Sequence, residues 1–197
     1  MLSADTLARE ISSGSIQTVI TKPLRRSDVV LGKWLGFATL LGLYSLLMSG
    51  GTLLSVLLQT GYLPRNMLTG LSLICLEALV VMTISLAGSS AMPALATGGM
   101  VFRLYGLAFL GGWIEQIGSL LKNPTAVKVG IVTSLIIPTE SLWRRAAFEM
   151  QSPLSGALSM TPFSATSVPS TLMVFYAIFY LLIALVVAVS TFRQRDI

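Results

Sequence analysis

The chain has no histidine and a single cysteine, Cys75. Without imidazole there is no ordinary general base near neutral pH, no Ser-His-Asp triad and no histidine-bound metal. One cysteine excludes an internal disulfide and any cysteine zinc cluster. These absences argue against an intramembrane enzyme, and no cofactor is expected. Charge is scarce as well. Only 11% of the 197 residues are charged, against about a quarter in a soluble domain. The net charge of +5 is modest, and the basic residues flank apolar runs, which suits lipid headgroups and not nucleic acid. No G-x-x-x-x-G-K-[ST] phosphate loop occurs, since Gly32–Lys33 lacks the leading glycine and the trailing hydroxyl.

What the chain has is apolar length. Hydrophobic residues make up 54% of it, and the mean hydropathy is +0.82. Residues 34–58 and 171–192 carry no charge, and 67–90 carry one, Glu77. A helix needs about 20 apolar residues to cross the hydrocarbon core, where each backbone amide must be bonded within the segment. Three transmembrane helices follow. A fourth is expected at 99–121, after a turn at 91–98. Residues 129–139 are too few to cross and suit a re-entrant or interfacial element, with a fifth span as the alternative. The fold class is therefore all-α: a polytopic helical membrane protein with four spans, a polar segment at 1–33 and a transmembrane domain at 34–197. Between the last two spans lies a long loop, 122–170.

Orientation follows the basic residues. With the N-terminus cytoplasmic and four spans, the cytoplasmic side holds eight of the 13 Lys and Arg: Arg9, Lys22, Arg25, Arg26, Lys33, Arg103, Arg193 and Arg195. The outer side holds five, of which Arg144 and Arg145 lie in the long loop, where the rule weakens. Both termini are expected on the cytoplasmic side. Within the loop, "PTESLWRRAAFEM" predicts a helix after Pro138, capped by Thr139 or Ser141, with Leu142, Ala146 and Met150 at helical spacing. Trp143 beside Arg144 and Arg145 is the composition of a helix in the headgroup region. The Ser-, Thr- and Pro-rich stretch that follows reads as irregular loop.

The polar segment is different in kind. "DTLAREISS" begins a short helix that Gly14 ends or turns. Residues 15–21 leave helix and strand both open. Pro23 breaks whatever precedes it. Ser27 or Asp28 then caps the helix that becomes the first span. By this reading alone the segment is a basic interfacial anchor.

Its pattern says more. Glu10, Gly14, Ile16–Gln17, Lys22–Pro23, Arg26 and the run Val30–Leu31–Gly32–Lys33 ahead of Gly36 resemble the cytoplasmic loop of ABC transporter permeases of the type-2, exporter-like family. There the pattern reads approximately E-x-x-x-G-x-I-Q, K-P, R and V-L-G-K-x-x-G. The closing "FRQRDI" resembles the family's basic C-terminus, F-x-R-R-D, with Gln194 in place of the first arginine. The motif-level likeness covers 10–36 and 192–197, and the likeness in layout covers the chain.

The resemblance implies an inner-membrane permease, multi-pass, working as a homodimer or heterodimer. A separate cytoplasmic ATP-binding cassette ATPase would dock on a coupling segment, here residues 1–33, so the chain itself would not be the ATPase. The residues carried over for docking are Glu10, Gly14, Gln17, Lys22, Pro23, Arg25 and Arg26. Family members place two spans before this segment, whereas Glu10 stands nine residues after Met1. The four spans would then be the family's last four, through a misplaced start, a truncated gene or helices supplied by another chain.

Glu77 is the candidate for the translocation path, because an ionisable group in mid-span is costly and faces a protein interior or a water path. The competing reading is a neutral or hydrogen-bonded structural glutamate at a helix interface. Gly32-x-x-x-Gly36 and "GGWIEQIG" are expected to be close helix contacts. Glu115 and Arg103 stand roughly 18 Å apart along one helix, so each needs another partner. Two functions remain: a permease subunit coupling ATP hydrolysis on a partner to export, and a non-transporting membrane anchor or assembly protein derived from one.

Overall fold

A computed structural model describes residues 26–64, 66–151 and 168–194. Six helices make up the described part: α1 (Arg26–Thr60), α2 (Met67–Ala91), α3 (Ala94–Leu120), α4 (Pro124–Ile136), α5 (Thr139–Glu149) and α6 (Thr171–Gln194). Four of them, α1, α2, α3 and α6, are long and apolar enough to cross a membrane. They coincide with the four expected spans.

α2 is the centre of the packing. It lies against α1, α3, α5 and α6. Its second half buries Val80, Met82 to Leu86 and Gly88 to Ser90 in nearly unbroken succession. A helix enclosed on all sides in a membrane uses small residues at its contacts, and its hydroxyls turn inward onto their own backbone. Thr83 donates to the Leu79 carbonyl, Ser89 to that of Leu86 and Ser90 to that of Ala87. α6 covers one side of α2 with Ala177, Leu181, Ala188 and Phe192.

α1 starts at Arg26 with Asp28 in its first turn, where a negative charge favours the helix N-terminus. It is helical from eight residues before the expected span, so the end of segment 1–33 and the first span are one helix. Val30 closes a small cluster with Leu86, Ala188 and Phe192. Beyond Val30 and Trp34 no residue of α1 is fully buried, and Leu43, Leu46, Leu47 and Leu58 are exposed.

α2 and α3 are joined by Met92 and Pro93 alone, not by the eight-residue turn expected. Pro93 is the N-cap of α3 and its ring precludes continuing α2, whereas nothing in "ALATG" prevents a helix from restarting at once. α3 and α4 form a close antiparallel pair. Asn123 begins α4 by accepting from the amides of Thr125 (3.0 Å) and Ala126 (3.4 Å), with Pro124 in the first turn. Gly111 and Gly130 let the two helices meet: a Cβ at Gly111 would overlap Thr133, and one at Gly130 would overlap Glu115. The Gly-rich stretch thus makes the contact expected of it. Gly32 and Gly36 do not, since nothing lies within 4 Å of where their Cβ atoms would be.

Between α4 and α5 the chain bends by 105°. Pro138 forces the residue before it out of the helical region, and Ile137 is extended (φ −147, ψ 121). α4 rises about 20 Å over its 13 residues, short of a ~30 Å core. The 129–139 element is therefore a helix bent back at Pro138. α5 runs as expected from Thr139, with Leu142 and Ala146 buried in the main cluster beside Leu73, Val80 and Leu181. Two expectations for it fail. No side chain caps it, the Thr139 hydroxyl being buried without a hydrogen-bond partner among the described residues. Arg144 is also not a headgroup residue, as it is 3% exposed.

Candidate functional site

An open groove of about 670 Å³ runs between α1, α2 and α3. Phe37, Leu40 and Leu41 reach it from α1, Val81 and Met82 from α2, and Val101 from α3. The groove is in the size range of small-molecule sites, which are mostly apolar with a few placed polar groups. Of its ten lining residues only Glu77 and Ser85 are polar, and none is basic. The two stand eight residues apart on α2, which puts them on one face of that helix.

Glu77 is not alone behind the groove wall. Tyr105 of α3 and Glu140 at the start of α5 both stand close enough to act on its carboxyl group. Glu140 lies directly on Gly112 of α3, at a point where a Cβ would overlap its side chain. One turn further along α5, Arg144 Nη2 donates to Glu115 Oε2 at 2.8 Å. Both partners are almost fully buried. Arg144 also attracts Glu140, while its Nε and Nη1 have no hydrogen-bond partner among the described residues. Two carboxyl groups, Glu115 and Glu140, thus share one guanidinium, and Glu77 lies next to Glu140. The three acids are strung out across α2, α3 and α5, and no group of three His, Cys, Asp or Glu among the described residues is arranged to hold a metal ion.

The α5 end that carries this network is tied down. Arg145 Nη1 donates to the Pro169 carbonyl at 2.8 Å and its Nε to Glu149. Asn66, just before α2, donates to the other oxygen of Glu149. At the opposite end of α2, the Trp34 indole donates to Thr83 at 2.8 Å and joins α1 to α2.

Of the residues singled out in the sequence, Glu77 lies in the groove wall. Arg26 opens α1. Glu10, Gly14, Gln17, Lys22, Pro23 and Arg25 lie outside the described residues. Glu115 does find a partner on another element, Arg144. Tyr105, Glu140 and Arg144 were not singled out for the site. The spacing of Glu140 and Arg144, i and i+4 on one helix, was the available signal, since it gives them a shared face.

Comparison with proteins of curated function and with solved structures returned no match. The family model for the ABC-2 family transporter protein matches residues 1–197. The chain belongs to that family, as a multi-pass membrane component of an ABC transporter.

Proposed function

We propose that the chain is the permease subunit of an ATP-driven ABC exporter, with ATP hydrolysed on a separate cassette subunit that docks on residues 1–33. The observation that supports this most is the groove: a membrane-embedded, largely apolar path with an acid in its wall is of use to a transporter. An anchor or assembly protein needs neither the groove nor Glu77. In this reading the protein lies in the inner membrane with both termini cytoplasmic, and it works as a dimer. Glu10, Gly14, Gln17, Lys22, Pro23, Arg25 and Arg26 form the docking surface, where Glu10 meets a basic group of the ATPase and the arginines also hold lipid phosphates.

The test is reconstitution with its cognate cassette ATPase. Glu10→Arg should leave insertion and expression intact while ATP hydrolysis no longer drives transport. Normal coupling in that variant would remove the docking assignment. Absence of any ATP-dependent movement by the wild-type complex would favour the anchor.

A further inference from the structure

We infer that the groove between α1, α2 and α3 binds an amphiphilic organic monocation, its apolar body against Phe37, Leu41, Val81 and Val101 and its charge against Glu77. The inference rests on the permease reading for the role of the occupant as cargo, but the binding itself stands on the groove.

Charge complementarity selects the occupant. A carboxyl group facing an apolar cavity either stays neutral or takes a counter-charge, because burying an unpaired charge is costly, so a bound cation is what would bring out its charge. Among the described residues none supplies that counter-charge at Glu77. No lining residue is basic, and the groups acting on the carboxylate are an uncharged phenol and a second acid, Glu140. The guanidinium of this neighbourhood, Arg144, is engaged by Glu115 and acts on Glu140. That leaves Glu77 as the acid on the groove with no cation acting on it among the described residues. An anion is repelled from such a place, and a neutral apolar molecule makes no use of Glu77.

A bare metal ion fits no better. Hard cations take six or more oxygen ligands, and the carboxyl groups here do not converge on a point. The eight apolar lining residues would face such an ion with nothing to offer it. They suit instead the hydrophobic bulk of a lipophilic cation, whose diffuse charge is cheap to desolvate and needs one carboxylate rather than a coordination shell. Ser85, on the same face as Glu77, adds a single hydroxyl at the groove wall.

The experiment is equilibrium binding of radiolabelled tetraphenylphosphonium to the purified chain in lipid nanodiscs, without any ATPase. Tetraphenylborate, of the same shape and opposite charge, is the control, measured in separate samples because the two ions pair with each other. Saturable binding of the cation is expected, with no saturable binding of tetraphenylborate and affinity at least about tenfold weaker in Glu77→Gln, as loss of a desolvated charge pair requires. Val81→Trp, which fills the groove and leaves the acid, should abolish binding. Equal binding by monodisperse Glu77→Gln, or equal saturable binding of the borate on its own, would overturn the inference in favour of simple apolar partition. So would an absence of saturable binding, the result expected if a lipid chain or a helix of a second copy occupies the groove. Should Glu77→Gln fail to give monodisperse protein, Val81→Trp decides alone, since undiminished binding there places the ligand elsewhere. Loss of binding leaves the permease reading intact. Binding without ATP-driven movement of the cation, once the cassette subunit is added, overturns the permease reading and leaves the site.

Discussion

α1 and α2 have nearly the same composition and opposite surroundings. Both are apolar along their length, and either one alone reads as a span. Yet the most hydrophobic stretch of α1 buries none of its residues, whereas α2 buries a third of its own. What separates them is side-chain size. The buried positions of α2 include Gly70, Thr83, Ser85, Gly88, Ser89 and Ser90, whereas the large side chains that α1 leaves exposed are mostly leucines. In lipid, apolar surface gains little by leaving the bilayer, so helices meet where small residues let backbones approach and where hydroxyls find partners. Glycine by itself is not enough. α1 has five of them, at 32, 36, 42, 50 and 51, and all face open space.

The contrast breaks hardest at the ion pair that pins α5 to α3. Arg144→Met leaves Glu115 as a buried carboxylate without its cation, and the loss of stability should be about 3–5 kcal/mol. Thermal unfolding in detergent, followed by the loss of monodispersity, measures it. The double variant Arg144→Met with Glu115→Leu should recover most of that loss, because the isolated charge and not the missing bond is the main cost. A double variant as unstable as the single one would mean that the pair does more than neutralise charge.

A smaller effect tests the glycines directly. Gly130→Ala drives a methyl into the Glu115 backbone, whose Cα lies 2.9 Å from the added carbon, and should cost about 1–3 kcal/mol. Gly36→Ala on α1 meets nothing and should fall within about 0.5 kcal/mol of wild type or be slightly stabilising. If both substitutions cost the same, packing between the described helices is not what distinguishes the α3–α4 pair from α1.

The spans were legible because hydrocarbon thickness and backbone hydrogen bonding leave a 25-residue apolar run little choice. The restart at Ala94 was obscured by Pro93, which marks a break without saying how short it is. Glu77 stood out because a lone acid in a span is conspicuous. Arg144 misled for a related reason. Beside Trp143 and Arg145 it has the local composition of a headgroup helix, and only the fold brings Glu115, 29 residues away, to its guanidinium. Tyr105 carried no signal, since a tyrosine in a span is ordinary until an acid on another helix faces it.

The smallest expected effect concerns the tie between the two contrasted helices. Besides the Val30 cluster, α1 is joined to α2 by the bond from the Trp34 indole to Thr83. Thr83 is fully buried and passes its own proton to the Leu79 carbonyl, so its oxygen is free to accept from Trp34. Thr83→Val keeps the shape and removes the acceptor, which leaves a half-buried indole N–H without that partner, at a cost of about 1 kcal/mol. Thr83→Ser keeps the acceptor and should stay close to wild type. Because Phe37, Leu40 and Leu41 follow Trp34 on the same helix, a loosened α1 also widens the groove wall that faces Glu77. The measurement is therefore twofold: thermal stability, and protection of Phe37 to Leu41 from lipid-phase photolabelling in Thr83→Val against Thr83→Ser. Equal labelling in the two variants would show that α1 is held by its Val30 end alone.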